Sequence, residues 1–393
     1  MKGAVLFIVA AATVAVVPAA QPSAGGVPTN VVCGQRLTRS TTLANDLRDC
    51  PRNGLAVAAS GITVDLNGHT IDGTNARIPG TGGVVVLRGR RNVTIVNGTI
   101  TEFYFAGVGL AARTTVRKLT ITDIGVRCRQ GDLCAGIFAM GAPGSTIADS
   151  AISVPANGIN VFRSRATRVE RNRIERNRGD GVSMFESPNS RVVANTFSGN
   201  RGNGLHVNNS SDSVLVSGNR ASGNAEAGIA VGASRRARVV GNMVSGNGQA
   251  GLLLFDLRNS LARGNQASGN GVGIVLYGGQ AGVAQFGGKH GARGNRLLGN
   301  TATENRRAGI WVKGDSRRDS VGRNLISGNA ANDNGRLGGI VVSGVARSNR
   351  LRANTANANA GHGITVVRGT IDGGGNRARG NRRRPQCVRI RCS

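Results

Sequence analysis

Apolar positions in this chain keep a short, repeated beat. A glycine is followed by aliphatic residues spaced by two, as in Gly158-Ile159-Asn160-Val161, Gly204-Leu205-His206-Val207 and Gly228-Ile229-Ala230-Val231, with further anchors at Gly181, Gly251 and Gly273. From Gly158 to Gly273 the steps are 23, 23, 24, 23 and 22 residues, and the phrase resumes at Gly309, Gly339 and Gly363. A period this regular marks one structural unit stacked repeatedly. Between anchors the apolar runs are brief, β-branched and alternating, such as Val214-Leu215-Val216 and Ile340-Val341-Val342, and no stretch beyond the N-terminus sustains a 3.6-residue pattern. The pattern predicts coils of short strands that together bury a column of Ile, Val and Leu.

Asparagines keep the same beat: Asn172, Asn195, Asn219, Asn242 and Asn265, each followed five residues later by Asn177, Asn200, Asn224, Asn247 and Asn270. They are expected at corners, where asparagine tolerates left-handed backbone and where identical amides can bond each other up a stack.

These repeats resemble the right-handed parallel β-helix repeat family, the pectin-lyase-like solenoids, over roughly residues 55 to 380. The segments Ile62–Gly73 and Val93–Ile100 are similar to opening coils of secreted bacterial members, and Gly83, Gly107 and Gly136 extend the anchors backwards. The resemblance implies an all-β, single-stranded right-handed parallel β-helix solenoid of about a dozen coils. The family hosts lyases, hydrolases, epimerases and proteins without known activity, so the fold alone does not choose among them.

Residues 1–20, with Lys2 ahead of an Ala-rich apolar run and Val17-Pro18-Ala19 as a cleavage site, read as a signal peptide. A retained single-span anchor is the alternative. Residues 21–54 read as linker and N-terminal cap, 55–380 as the solenoid and 381–393 as a basic C-terminal cap. Export makes disulfides the default reading of the six cysteines, which fall in three local pairs: Cys33 with Cys50, Cys128 with Cys134, Cys387 with Cys392. Six cysteines allow 15 pairings; the local one staples both solenoid ends. An exported protein with no apolar run after the leader has no further membrane span and is secreted or otherwise extracytoplasmic.

Charge changes the picture. Fifty Lys plus Arg against 20 Asp plus Glu give a net +30, nearly all of it arginine. Two concentrations stand out, from Arg163 to Arg178 and from Arg377 to Arg391. The planar guanidinium pairs bidentately with carboxylate, sulfate or phosphate, so an anionic partner follows; local pairing, Arg163 with Glu186 for instance, is the alternative. With nine Phe, two Tyr and one Trp the chain has few base-stacking platforms, which argues against nucleic acid and for an anionic polysaccharide or wall polymer.

In the strand after each anchor the second residue points outward. That column reads Asn160, Ser183, His206, Ala230, Leu253, Val275, Trp311, Val341, Thr365, polar together only in its first three coils, and the same coils carry Arg163, Glu186 and Asn209 five residues after the glycine. Asp180 sits at the preceding corner. His206, Asp180 and Glu186 are therefore the candidate catalytic groups, with Arg163, Asn160, Ser183 and Asn209 as candidate substrate contacts. Such parts suit proton abstraction beside a uronate carboxylate; ordinary ladder residues would look the same. Period-breaking insertions after Tyr277, holding Lys289 and His290, and after Trp311, holding Lys313, Asp315, Arg317 and Arg318, add Tyr277 and Trp311 as candidate sugar contacts.

Other signatures are weaker. Gly361-His362-Gly363-Ile364 with Arg368 looks like an element of polygalacturonases, but the partner aspartate motifs are missing. No coil stacks the acids a calcium-dependent lyase of this fold requires, so calcium rests on resemblance alone, the cofactor is unknown and no metal ligands are assigned. Asp65, His69 and Asp72 flank a turn at Asn67-Gly68. The sequence supports a secreted β-helix that binds, and by resemblance modifies as a lyase or epimerase, an anionic polysaccharide; a noncatalytic surface or adhesion module is the alternative. Oligomeric state is not legible.

Overall fold

A computed structural model describes residues 27–129, 132–279, 291–316 and 320–393. The leader at 1–20, with Lys289, His290, Arg317 and Arg318, lies outside the described residues. Every strand pair among the described residues is parallel, and each coil pairs with the one before and the one after. One strand per coil builds a long sheet of 15 strands in chain order, from Gln35–Leu37 to Cys387–Val388. Two further short strands per coil, such as Arg168–Glu170 and Arg173–Glu175, form a two-lane sheet opposite. No helix occurs among the described residues.

The dozen glycine anchors read from the sequence correspond to twelve rungs; three more complete the sheet, Gln35–Leu37 and Leu55–Val57, which follow Gly34 and Gly54, and Cys387–Val388, which follows Gln386. At about 4.8 Å per rung the stack is about 67 Å long.

Alternation fixes the core. In the long sheet Ile159, Val182, Leu205, Ile229, Leu252, Ile274, Ile310 and Ile340 point inward and are wholly buried; Val169, Val192 and Val216 answer from the two-lane sheet. The anchor glycines lie where consecutive coils approach closely. A Cβ on Gly181 would run into the carbonyl oxygen of Gly204 in the next coil.

The asparagines bond amide to amide up the stack, as expected, but they are not themselves the left-handed corner residues. The left-handed residue is the one before each asparagine, Arg171 (φ 55°), Arg176 (φ 54°), Gly218 (φ 62°) or Gly223 (φ 63°), and the asparagine itself turns inward and is buried. Asn195 donates from Nδ2 to Asn219 Oδ1 at 3.0 Å, Asn219 repeats this to Asn242 at 3.0 Å, and the same oxygens accept the backbone N–H of the preceding asparagine. A second ladder runs through Asn177, Asn200, Asn224, Asn247 and Asn270. The amides thus saturate buried corner groups that neither sheet can reach.

All three local disulfides are present, with Cα–Cα distances of 5.3 Å for Cys33–Cys50, 6.5 Å for Cys128–Cys134 and 6.2 Å for Cys387–Cys392. The first and last sit at the two ends of the stack.

Candidate functional site

The outer face of the long sheet carries the candidate residues. Asn160, Ser183, His206, Ala230, Leu253, Val275, Trp311, Val341 and Thr365 pair in register as one column. Its polar stretch meets a corner ladder formed by the residues preceding the glycines: Asp180 N–H donates to Asn157 Oδ1 (2.8 Å), and Asp180 Oδ1 accepts from Asn203 N–H (2.8 Å) and Nδ2 (3.0 Å).

This ladder brings Asp180 to His206. The imidazole Nδ1 lies 3.4 Å from Asp180 Oδ2, with both side chains four-fifths or more covered. Burial pushes the Asp180 carboxyl up, but the His206 hydrogen bond and charge and the two Asn203 donors outweigh it, so its pKa lies below the ordinary value. A carboxylate held ionised against an imidazole fixes the ring and favours a proton on the facing nitrogen, the orienting half of a proton-transfer pair. Asn203 also donates to Glu226 Oε2 at 2.8 Å, which adds an exposed carboxylate not anticipated from the sequence.

Glu186 does not join this pair. It stands at the far end of the strand Val182–Phe185 from Asp180, at a left-handed corner (φ 48°), and binds Arg163 Nε at 2.9 Å. Arg163 therefore already has a protein carboxylate, against the expectation that it waits for a substrate's. Asn160 is wholly buried because its amide donates to the Leu133 carbonyl (3.1 Å) while its oxygen accepts from Asn157 (2.9 Å), so it faces a protein segment and not solvent. Ser183 is buried as well. Asn209 occupies the corner after Asn208, also at φ 48°.

The sequence reading missed an aromatic row. Phe105, Phe138, Phe162 and Phe185 follow one another at centroid distances of 4.9, 6.2 and 5.5 Å, the last pair stacked within 12°. Phe185 then meets the His206 ring edge-on at 5.3 Å, and His206 reaches Phe255 at 6.3 Å. The last contact spans a whole coil because Ala230 and Gly232 leave the space that Phe255 fills: a Cβ on Gly232 would collide with its ring. Phe162, Phe185 and Phe255 stand four residues after their anchors, so aligning that second outward column would have found them.

The row continues through Tyr277, in register with Phe255, to a polar cluster. Tyr277 hydroxyl donates to Asp315, Lys313 binds Asp315 at 2.8 Å, and the Lys313 ammonium lies 5.5 Å from both the Tyr277 and Trp311 rings. Trp311 is half-buried against Val272, Ala308 and Val341, donates to Ser343 Oγ at 2.8 Å, and has the Arg307 guanidinium 5.4 Å over its ring.

Several of the arginines lie elsewhere. Arg168, Arg173, Arg191 and Arg238 are exposed on the two-lane sheet, and within the first concentration Arg171 binds Asp149 while Arg173 and Arg176 bind Glu175. Other singled-out groups are structural. His69 pairs with Asp46 (3.0 Å) while Asp65 caps the left-handed Asn67-Gly68 turn, and His362 contacts the Pro385 carbonyl (2.8 Å). Among the described residues the one gathering of three possible metal ligands is Cys128, Asp132 and Cys134, whose sulfurs are joined to each other and are not thiolates.

A search of curated proteins found no match to the sequence. Solved structures do match in shape. The A-module of mannuronan C-5 epimerase AlgE4 from Azotobacter vinelandii aligns with a TM-score of 0.56 at 16% identity, covering 81% of this chain and 89% of that one. The periplasmic alginate epimerase AlgG gives 0.53 at 16%, covering 81% and 77%. PfbA, a surface adhesin of Streptococcus pneumoniae, gives 0.51 at 12%, covering 81% and 83%. At these identities the likeness is one of fold. The family described as right handed beta helix region matches residues 45–219 and 136–286, together more than half the chain. By that match, and with its parallel coils, the chain belongs to the right-handed β-helix family.

Proposed function

We propose that this protein is an extracytoplasmic polysaccharide-binding β-helix whose ligand, an acidic glycan, runs along the outer face of the long sheet. The observation that carries the reading is the row of rings from Phe105 to Phe255, continued by Tyr277 and Trp311. Rings at centroid intervals of 4.9–6.3 Å, set edge-on, tilted or stacked along the rod, make a continuous aromatic ridge at a spacing that suits the C–H faces of successive pyranose rings. Arg307 beside Trp311 supplies a cation for a carboxylate, and the disulfides fit an oxidising compartment. The test is retention of the mature protein on immobilised acidic and neutral glycans. Acidic glycans should retain it in a salt-sensitive manner and Phe162→Ala/Phe185→Ala should weaken retention at least tenfold; equal retention of the double variant would overturn the reading.

The His206–Asp180 contact favours a second, catalytic layer on the same face. The epimerases of like fold are named for mannuronan and alginate; by that likeness His206 would exchange a proton at the carbon beside a uronate carboxylate, with Asp180 orienting the ring. NMR of uronate configuration and chain length after incubation decides it. Unchanged polymer with wild-type protein leaves a noncatalytic binding or adhesion module; altered polymer that His206→Ala no longer produces assigns the enzyme.

A further inference from the structure

A different feature lies on the turn that leads from the long sheet to the two-lane sheet. There one residue per coil stacks in parallel bridges, Arg235 on Arg258, Arg258 on Arg293 and Arg293 on Gly322. Arg347 follows in the next coil, for a Cβ added to Gly322 would come within 2.8 Å of its carbonyl oxygen. The column is thus arginine in four positions and glycine in one. Where Gly322 has no side chain, Arg293 and Arg347 flank a gap two rungs wide, about 10 Å.

That gap is a cavity of about 340 Å³ lined by Arg293, Arg323 and Arg347 with Ser320 and Ser348. Its floor is Gly322 and the buried Val321, with Val345 beside them. Arg293 is positioned by a hydrogen bond from Nη2 to Ser320 Oγ at 2.7 Å. None of the three guanidinium groups has a carboxylate partner among the described residues, unlike Arg163, Arg171, Arg173 and Arg176. The neighbouring cavity along the same turn makes the contrast internal: it holds Arg235 and Arg258, but Asp212 and Asp256 line it too. Among the described residues, acids line the one notch and not the other.

We propose that the Arg293–Arg323–Arg347 notch binds a phosphate or sulfate monoester. Three planar forks approaching from separate coils offer more donors than a carboxylate's two oxygens can accept, whereas a tetrahedral oxyanion presents three oxygens and keeps the fourth for its ester link. The column's single glycine makes the room. The site stands apart from the aromatic face, and its failure would leave the proposed glycan binding untouched.

Calorimetry at fixed ionic strength tests it with inorganic phosphate, inorganic sulfate, methyl phosphate, methyl sulfate and acetate. The expected result is binding of at least one methyl ester with acetate at least tenfold weaker. Binding of that ester should fall at least tenfold in Arg293→Gln/Arg347→Gln and stay unchanged in Arg168→Gln/Arg191→Gln, which removes the same charge from the exposed two-lane face. Whichever methyl ester binds more tightly identifies the group. Failure of both esters to bind, acetate binding as well as they do, or equal losses in the two double variants would each overturn the proposal.

Discussion

Asn219 shows what one residue contributes. Its side-chain oxygen accepts from the backbone N–H and the amide of Asn195, and its Nδ2 donates to Asn242 and to the Val192 carbonyl, all out of water. Leucine fits the volume but strands these groups, and each buried orphan costs about 1–3 kcal/mol. Asn219→Leu should lower stability by roughly 3 kcal/mol or more in urea unfolding, against less than about 0.5 kcal/mol for the exposed neighbour Arg220→Ala. Asp180 gives a pH signature. Its folded pKa lies below its unfolded value near 3.8, so it contributes stability that is present above that value and is lost as pH falls through the folded pKa. Asp180→Asn should therefore be less stable at neutral pH and lose less melting temperature than wild type on acidification below about pH 4; parallel acid curves would refute this. The exposed Arg163–Glu186 pair, by contrast, is worth at most about 1 kcal/mol.

At the scale of the element, each coil pairs its strands only with those of its neighbours, so stability is local and the ends need protection. The last rung, Cys387–Val388, pairs only with Ile364–Thr365 and is tied by Cys387–Cys392. Replacing both cysteines by serine should release hydrogen-exchange protection in the final two coils while the amides of Ile229 and Leu252 keep theirs; uniform loss would mean the coils unfold as one. The element scale also shows what was legible. Glycine spacing and alternation specified the coils and the outward column from Asn160 to Thr365, because both follow from strand periodicity. The aromatic row was not read, since Phe162, Phe185 and Phe255 occupy a second outward position whose apolar character looks like core. The burial of Asn160 was hidden for another reason: the segment covering it, at Leu133, comes from an earlier coil.

At the scale of the molecule, the rod separates two chemistries, rings and the His206–Asp180 pair on the long sheet and many exposed arginines on the two-lane sheet and turns. Phe105 to Trp311 spans nine rungs, about 38 Å. A linear ligand on that track gains contacts with every added sugar until it covers the row. The most direct measurement is the affinity of acidic uronate oligosaccharides of increasing length, followed by calorimetry and by Trp311 fluorescence. Affinity that climbs with length, plateaus once the oligosaccharide matches the row, and drops in Phe162→Ala/Phe185→Ala is the predicted result. Affinity that is independent of length, or unchanged in that variant, would contradict a glycan track on this face.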